Sequence, residues 1–165
     1  MTMKKFTALH ERKDDAIAHK ATEIGYARAV AAALEKPRDF KHAEMLAARS
    51  GRLLLDATGV QGFEKDKHLC KLLKRRSDAA FAIPLEKILG QPPARAAREV
   101  GKLRRFIANC TLSTARFVPV QSNTPLLMKS PCETTAIMRL IGATPAQAEA
   151  SISSWIDAIT EEKQE

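Results

Sequence analysis

The sequence predicts an all-α protein, a helical bundle, and three observations support this. The 165-residue chain is 45% hydrophobic, which is enough for a buried core, and only 5% aromatic. It is rich in alanine, which favours helix, and poor in the β-branched and aromatic residues that favour strands. Apolar residues also recur at helical spacing along much of the chain. The length suits one domain, or one domain with a small appendage.

Residues 1–112 are predicted to form the bundle, built on an antiparallel N-terminal helical hairpin. Its first helix is expected at 7–35, where small and apolar residues recur every third or fourth position until Pro37. Its second helix is expected at about 38–58, because Gly59 follows and favours a turn. The short connection between the two helices favours antiparallel packing.

Two further helices are expected at 63–80 and 94–111, on either side of the Gly90-Gln91-Pro92-Pro93 break. On the second of them, Leu103 and Ile107 are predicted to lie in the core, with Val100 one turn earlier. These two helices complete the predicted bundle.

The C-terminal part of the chain is predicted to contain a loop and a helical pair. Residues 113–130 lose the helical pattern, and we expect a linker or surface loop there. Residues 131–165 are expected to form a C-terminal helical hairpin, whose second helix begins at a capping box of Thr144 and Gln147. That helix offers few basic side chains for phosphate contact, so a hairpin that contacts protein is favoured over a helix-turn-helix that reads DNA.

Positive charge is concentrated in one quarter of the chain. Residues 64–105 hold 12 Lys or Arg against 5 Asp or Glu, and the whole chain has a net charge of +8. The cations recur at helical spacing and form two stripes, which are Lys67, Lys71, Lys74 and Arg75 on the first helix and Arg95, Arg98, Lys102 and Arg105 on the second. Like charges one turn apart repel by a few tenths of a kcal/mol per pair. Such stripes therefore favour an anionic partner.

These stripes predict a non-enzymatic, basic helical protein that binds nucleic acid as an accessory or regulatory factor. The cations would contact the phosphate backbone of a duplex. Aromatic residues are not interleaved with them, which disfavours single-strand binding by base stacking. The alternative is a helical adaptor or regulator that binds an acidic protein partner, either as a single chain or as a homo-oligomer. The pattern does not distinguish DNA, RNA and an acidic protein.

No catalytic residue, cofactor or metal ligand is predicted. The seven glycines form no phosphate-binding loop, and no nucleophile elbow occurs. His42-Ala43-Glu44 and Pro131-Cys132 match fragments of a zinc-deaminase signature, but position 135 is Thr where a second Cys is needed. The four histidines never pair at the i, i+4 spacing of a helical zinc site. An enzyme whose site is assembled from dispersed residues remains a third hypothesis.

The three cysteines do not define a disulfide framework. They are widely spaced, and Cys70 and Cys110 are expected to be small core residues. No apolar stretch approaches the 18 or so residues of a membrane span, and the N-terminal residues do not form a signal peptide. We therefore expect a cytoplasmic protein with no membrane partner.

Overall fold

The computed structural model describes residues 5–12 and 14–160 of the chain. In chain order, its elements are β1 (Thr7–His10), α1 (Asp15–Glu23), β2 (Arg28–Ala31), α2 (Phe40–Ala47), β3 (Leu53–Leu55), α3 (Lys67–Lys71), β4 (Ala79–Pro84), α4 (Pro93–Leu112), β5 (Phe117–Val120), α5 (Pro131–Leu140), α6 (Pro145–Ser151) and α7 (Ser154–Thr160). Three short 3-10 turns lie at Ala57–Gly59, Leu85–Lys87 and Pro125–Leu127. The chain is therefore mixed α/β, and the all-α prediction is wrong.

The strands pair in parallel and form a ring. Strand β1 pairs with β2 in one sheet, and β3, β4 and β5 pair in that order in a second sheet. The two sheets meet at both edges. At one edge, the Gln121 N–H donates to the Leu9 carbonyl over 2.8 Å, and at the other Glu35 forms a parallel bridge with Leu55. The strand ends consequently surround a common axis.

A proline explains why β5 and β1 do not form a regular ladder. The N–H groups of alternate residues point to the same side of a strand. Pro119 lies two residues before Gln121, so its nitrogen faces β1 but carries no hydrogen to donate. This position suits the edge of the β3-β4-β5 sheet, where proline is tolerated.

Strand β4 separates two hydrophobic cores. Its Phe81 and Ile83 side chains join the larger core beneath α2, α3 and α4, whereas Ala80 and Ala82 join a smaller core within the ring. Small alanine side chains fit the narrow interior of a ring of few strands. Phe106 of α4 packs edge-on against Phe81, with ring centroids 5.1 Å apart. The outer helices are thereby held on the sheet.

Helix α7 covers the amino ends of the strands. The Thr7 N–H, at the start of β1, donates to the Ile152 carbonyl just before α7 over 2.8 Å. Trp155 packs edge-on against Phe117 at the start of β5, and Ile156 is fully buried in the smaller core. The apolar side of the last helical segment therefore docks on the body of the protein.

A buried polar network links β5 to the outer layer near α1 and α5. The Gln121 Nε2 donates to the Tyr26 hydroxyl over 2.9 Å and to the Thr134 Oγ1 over 3.1 Å. Burial raises the pKa of Tyr26 to about 12, because the phenolate would lose its hydration. The network satisfies polar groups that would otherwise be costly inside the protein.

The predicted N-terminal helical hairpin is wrong. The expected helix at 7–35 is β1, the nine-residue α1 and β2. The expected helix at 38–58 is α2 followed by β3. Strands β1 and β3 are buried at every position, so they show no alternation of apolar and polar residues. The apolar run of β3, and the alanine and leucine of β1, extend the helical pattern of the neighbouring residues and conceal the strands.

The third predicted helix is also corrected. The expected helix at 63–80 contains only the five-residue α3 and then enters β4. Strand β4 has the sequence AAFAIP, and alanine has a high intrinsic preference for helix. Burial between two cores overrides that preference. The segment 113–130, expected to be a linker or loop, includes the fully buried strand β5.

Several local predictions are confirmed. Helix α4 spans Pro93–Leu112, against the predicted 94–111; of its predicted core residues, Leu103 and Ile107 are fully buried and Val100 is half-buried. The Thr144 capping box is present. Cys70 and Cys110 are buried free thiols. In the described part of the chain, no helix is both long enough and apolar enough to cross a membrane.

Candidate functional site

The predicted cationic residues lie on α3, on the turn after it, and on α4. All eight are exposed, namely Lys67, Lys71, Lys74, Arg75, Arg95, Arg98, Lys102 and Arg105. We call this set the basic face. The helical spacing directs the α4 cations away from Leu103 and Ile107, which pack on the sheet.

The two helices that carry the basic face are in contact. The Sγ atoms of Cys70 and Cys110 lie 3.3 Å apart in the interface between α3 and α4. Asn109 of α4 donates from Nδ2 to the Glu64 carbonyl, just before α3, over 3.2 Å. Burial raises the pKa of the Cys110 thiol, so this sulfur serves as neutral packing. Helix α3 thus lies beside the carboxyl-terminal half of α4.

The basic face has little internal compensation. Among the described residues, Lys102 is the one member of the set with a carboxylate within 4.0 Å, the Glu99 side chain at 3.7 Å. The neighbouring Arg76 differs, because it pairs with Asp78 at 3.0 Å and donates to the Ala47 carbonyl at 2.9 Å. Arg76 therefore anchors the turn, whereas the basic face leaves its cations available to a partner.

Arg75 adopts a backbone conformation that is unusual for a residue with a side chain. Its φ angle is 60°, in the left-handed region. The turn between α3 and β4 imposes this conformation and exposes the Arg75 side chain next to the anchored Arg76.

A second candidate site lies at the opposite end of the ring from α7. A cavity of about 290 Å³ opens at the carboxyl ends of the parallel strands. Residues that follow each of the five strands line it, namely Glu11 after β1, Lys36 after β2, Asp56 after β3, Glu86 after β4 and Asn123 after β5. We call it the strand-end cavity. Ligands of parallel α/β proteins bind in this position, because the loops that converge there bring distant residues together.

The carboxylates of the strand-end cavity are held by short polar contacts. Lys36 Nζ lies 2.8 Å from the Glu11 Oε1. The Asp56 Oδ1 accepts hydrogen bonds from the Thr58 N–H at 3.0 Å and from its Oγ1 at 2.5 Å. The Glu86 Oε1 accepts from the Asn123 N–H at 2.9 Å. These contacts fix one oxygen of each carboxylate.

Carboxylates dominate the electrostatic environment of Lys36 in the strand-end cavity. The hydrogen bond with Glu11 is the largest cause that raises the pKa of Lys36, and the charges of Glu11, Asp56 and Glu86 raise it further. The three carboxylates therefore favour the protonated form of Lys36, although the protein as a whole is basic.

Sequence analysis missed the strand-end cavity entirely. A usable signal was present, since Asp56 directly follows the apolar run of β3 and Glu86 closely follows the run of β4. It could be interpreted only after those runs were recognised as strands. The zinc-site fragments remain separate from the cavity lining, and no group of three or more His, Cys, Asp or Glu among the described residues could hold a metal ion.

Comparison with known proteins identifies no relative. No family model matches the chain, and no curated protein matches its sequence. Function is therefore inferred from the two candidate sites themselves.

Proposed function

We propose that the protein is a non-enzymatic nucleic-acid-binding factor with an accessory or regulatory role. The basic face would contact the phosphate backbone of a duplex. The observation that carries this proposal is the exposure of eight cations on two adjoining helices and the turn between α3 and β4, almost all without an acidic neighbour among the described residues. Duplexes attract such a surface because each phosphate contact releases condensed counterions.

The dimensions of α4 suit a phosphate backbone. Ten residues separate Arg95 from Arg105, which corresponds to about 15 Å along the helix axis. One strand of duplex DNA advances about 3.4 Å per phosphate along its own axis. The α4 cations therefore span several phosphates, and Lys67 and Lys71 of the adjoining α3 broaden the contact.

The arginines add a chemical argument. The planar guanidinium group can donate two parallel hydrogen bonds to phosphate oxygens. Three of the four basic-face residues on α4 are arginine. The basic face offers few amide side chains for reading base edges, which favours binding with weak sequence dependence.

A fluorescence-anisotropy titration tests the proposal. Duplex DNA, duplex RNA and single strands would each be titrated at low and physiological salt. We expect duplex binding tighter than about 10⁻⁴ M at physiological salt, with an affinity that falls steeply as salt rises. If none of the nucleic acids binds at that level, the proposal fails.

A charge-reversed variant locates the contact. Changing Arg95, Arg98, Lys102 and Arg105 to Glu should weaken binding by at least about 100-fold, because four phosphate contacts become repulsive. A matched control reverses four exposed cations outside α3 and α4, namely Arg12, Lys41, Arg49 and Arg139. Both variants have the same net charge. Equal losses in the two would show that overall charge, rather than the basic face, determines binding.

One observation favours an acidic protein as a second candidate partner. Leu112 lies seven residues after Arg105, on the same line of α4, and is 80% exposed. A phosphate backbone gains little from an exposed leucine, whereas a protein partner could bury it. Leu112→Ser should therefore leave nucleic-acid affinity unchanged but weaken binding to an acidic helical peptide with leucines on one face. Binding of that peptide without any nucleic-acid binding would favour the adaptor function.

A further inference from the structure

Three features of the strand-end cavity point to a ligand independent of the basic face. The cavity is concave, it collects side chains from five separate segments, and each of its carboxylates has one oxygen without a hydrogen bond among the described residues. Its floor includes the apolar Leu34 and Val120. Small-molecule sites combine such an apolar lining with a few positioned polar groups.

The free acceptors in the strand-end cavity define the chemistry of the ligand. Within the described residues, the second carboxylate oxygens of Glu11, Asp56 and Glu86 make no hydrogen bond, while the first oxygen of each does. The Oδ1 atom of Asn123 is buried and also has no partner in this part of the chain. These acceptors are available to a ligand that supplies donors.

The charges of the strand-end cavity favour a cationic donor over a neutral one. Three carboxylates face two lysines, Lys36 and Lys87, so the lining has a net negative charge. Lys36 already occupies the Glu11 carboxylate, which leaves Asp56 and Glu86 for an incoming cation. A charge-assisted hydrogen bond is about twice as strong as a neutral one.

We propose that the strand-end cavity binds a small organic ammonium compound, with its aliphatic part on Leu34 and Val120 and its nitrogen on Asp56 and Glu86. At about 30 Å³ per water-sized group, the cavity of about 290 Å³ holds roughly ten non-hydrogen atoms. Short diamines and similar amines fit this limit. Because the whole protein carries a charge of +8, such a cation has no general attraction to it and would bind only at a local acidic site.

The test uses three compounds of the same length and different charge. The full chain would be titrated calorimetrically with 1,4-diaminobutane, with the neutral 1,4-butanediol and with the dianion butanedioate. We expect the diamine to bind with a Kd tighter than about 1 mM, which is reasonable for six non-hydrogen atoms. The diol and the dianion should bind at least about tenfold more weakly, the difference expected from a charged hydrogen bond.

Two variants with opposite expected effects locate the site. Glu86→Gln keeps the acceptor for the Asn123 N–H but removes the charge, and it should weaken diamine binding about tenfold. Lys36→Gln removes the competing ammonium group and should tighten binding about threefold to tenfold. Damage to the fold would weaken binding in both variants, so the opposite signs separate recognition from stability. Glu44→Gln, an exposed acid on α2, is the matched control and should change nothing.

Several outcomes would overturn this proposal. They are the absence of diamine binding, equal binding of the diol, preferential binding of the dianion, or an equal loss in Glu44→Gln and Glu86→Gln. The nucleic-acid titration is separate, because Glu86→Gln leaves the basic face intact. Failure of one proposal therefore leaves the other standing.

Discussion

The basic face presents cations that project from two neighbouring helices, whereas the strand-end cavity collects charged residues from five segments that are distant in sequence. The cations of the face are exposed and mostly unpaired among the described residues. In the cavity Asp56 is buried, and the carboxylates of Asp56 and Glu86 each use an oxygen to hold the surrounding loops. Charge on the face therefore makes few contacts that hold the fold, whereas charge in the cavity caps a turn and ties loops together. Substitutions in the two regions should consequently differ in their effect on stability.

The largest expected effect lies beneath the basic face rather than on it. Leu103→Ala removes a fully buried side chain between α4 and the sheet. It should lower the free energy of unfolding by about 2–4 kcal/mol, from lost burial and the remaining cavity. Urea denaturation measures this. A loss below about 1 kcal/mol would mean that α4 packs loosely and that the basic face is not rigidly placed.

A smaller but clear loss is expected in the strand-end cavity. Asp56 caps the 3-10 turn at Ala57–Gly59 through the Thr58 N–H, and the residue is only 8% exposed. Asp56→Ala should cost about 1–2 kcal/mol, the usual range for a lost N-cap. Asp56→Asn keeps an acceptor and is the control. If both variants are as stable as the wild type, the acidic lining has no structural role.

Because of Lys36 in the strand-end cavity, we expect the stability of the protein to depend on pH in the alkaline range. The folded-state pKa of Lys36 is raised above its ordinary value of 10.5, chiefly by the hydrogen bond with Glu11. Because the fold favours the protonated form, this stabilisation is fully present below pH 10.5 and is lost as the pH rises through the folded pKa. The Tm values of the wild type and Lys36→Gln, measured by thermal melts, should converge as the pH rises from 10.5 through the folded pKa of Lys36. A constant difference in Tm would rule out this linkage.

The smallest expected effect is on the basic face itself. Arg98→Ala removes an exposed cation from a row of like charges. Its free energy of unfolding should stay within about 0.5 kcal/mol of the wild type. Urea denaturation of Arg98→Ala, carried out together with that of Leu103→Ala, measures this free energy. A loss comparable to that of Asp56→Ala would show that Arg98 has a structural contact, and the contrast between the two regions would disappear.

The comparison also shows what sequence patterns could predict. The basic face was identified because all its members lie in two short segments, where the period of a helix directly gives their relative positions. Helix α4 was predicted within one residue at each end, since one face is apolar over its whole length and a proline pair precedes it. The strand-end cavity gave no comparable signal. Its residues Glu11, Asp56 and Asn123 are more than 100 positions apart at the extremes.

The sequence by itself determined the long amphipathic α4, the helix caps and the concentration of positive charge, because these depend on neighbouring residues. Tertiary structure alone decided that runs such as Leu53–Leu55 and Ala79–Pro84 became strands. Leucine and alanine, which supply most of their residues, have good helix propensity, but this preference is worth only fractions of a kcal/mol per residue. Burial in the parallel ring and between two cores is worth about 1.5–3 kcal/mol for each large apolar side chain. This stabilisation by burial exceeds the helix propensity and comes from contacts between distant segments, which also bring the five strand ends together into one cavity.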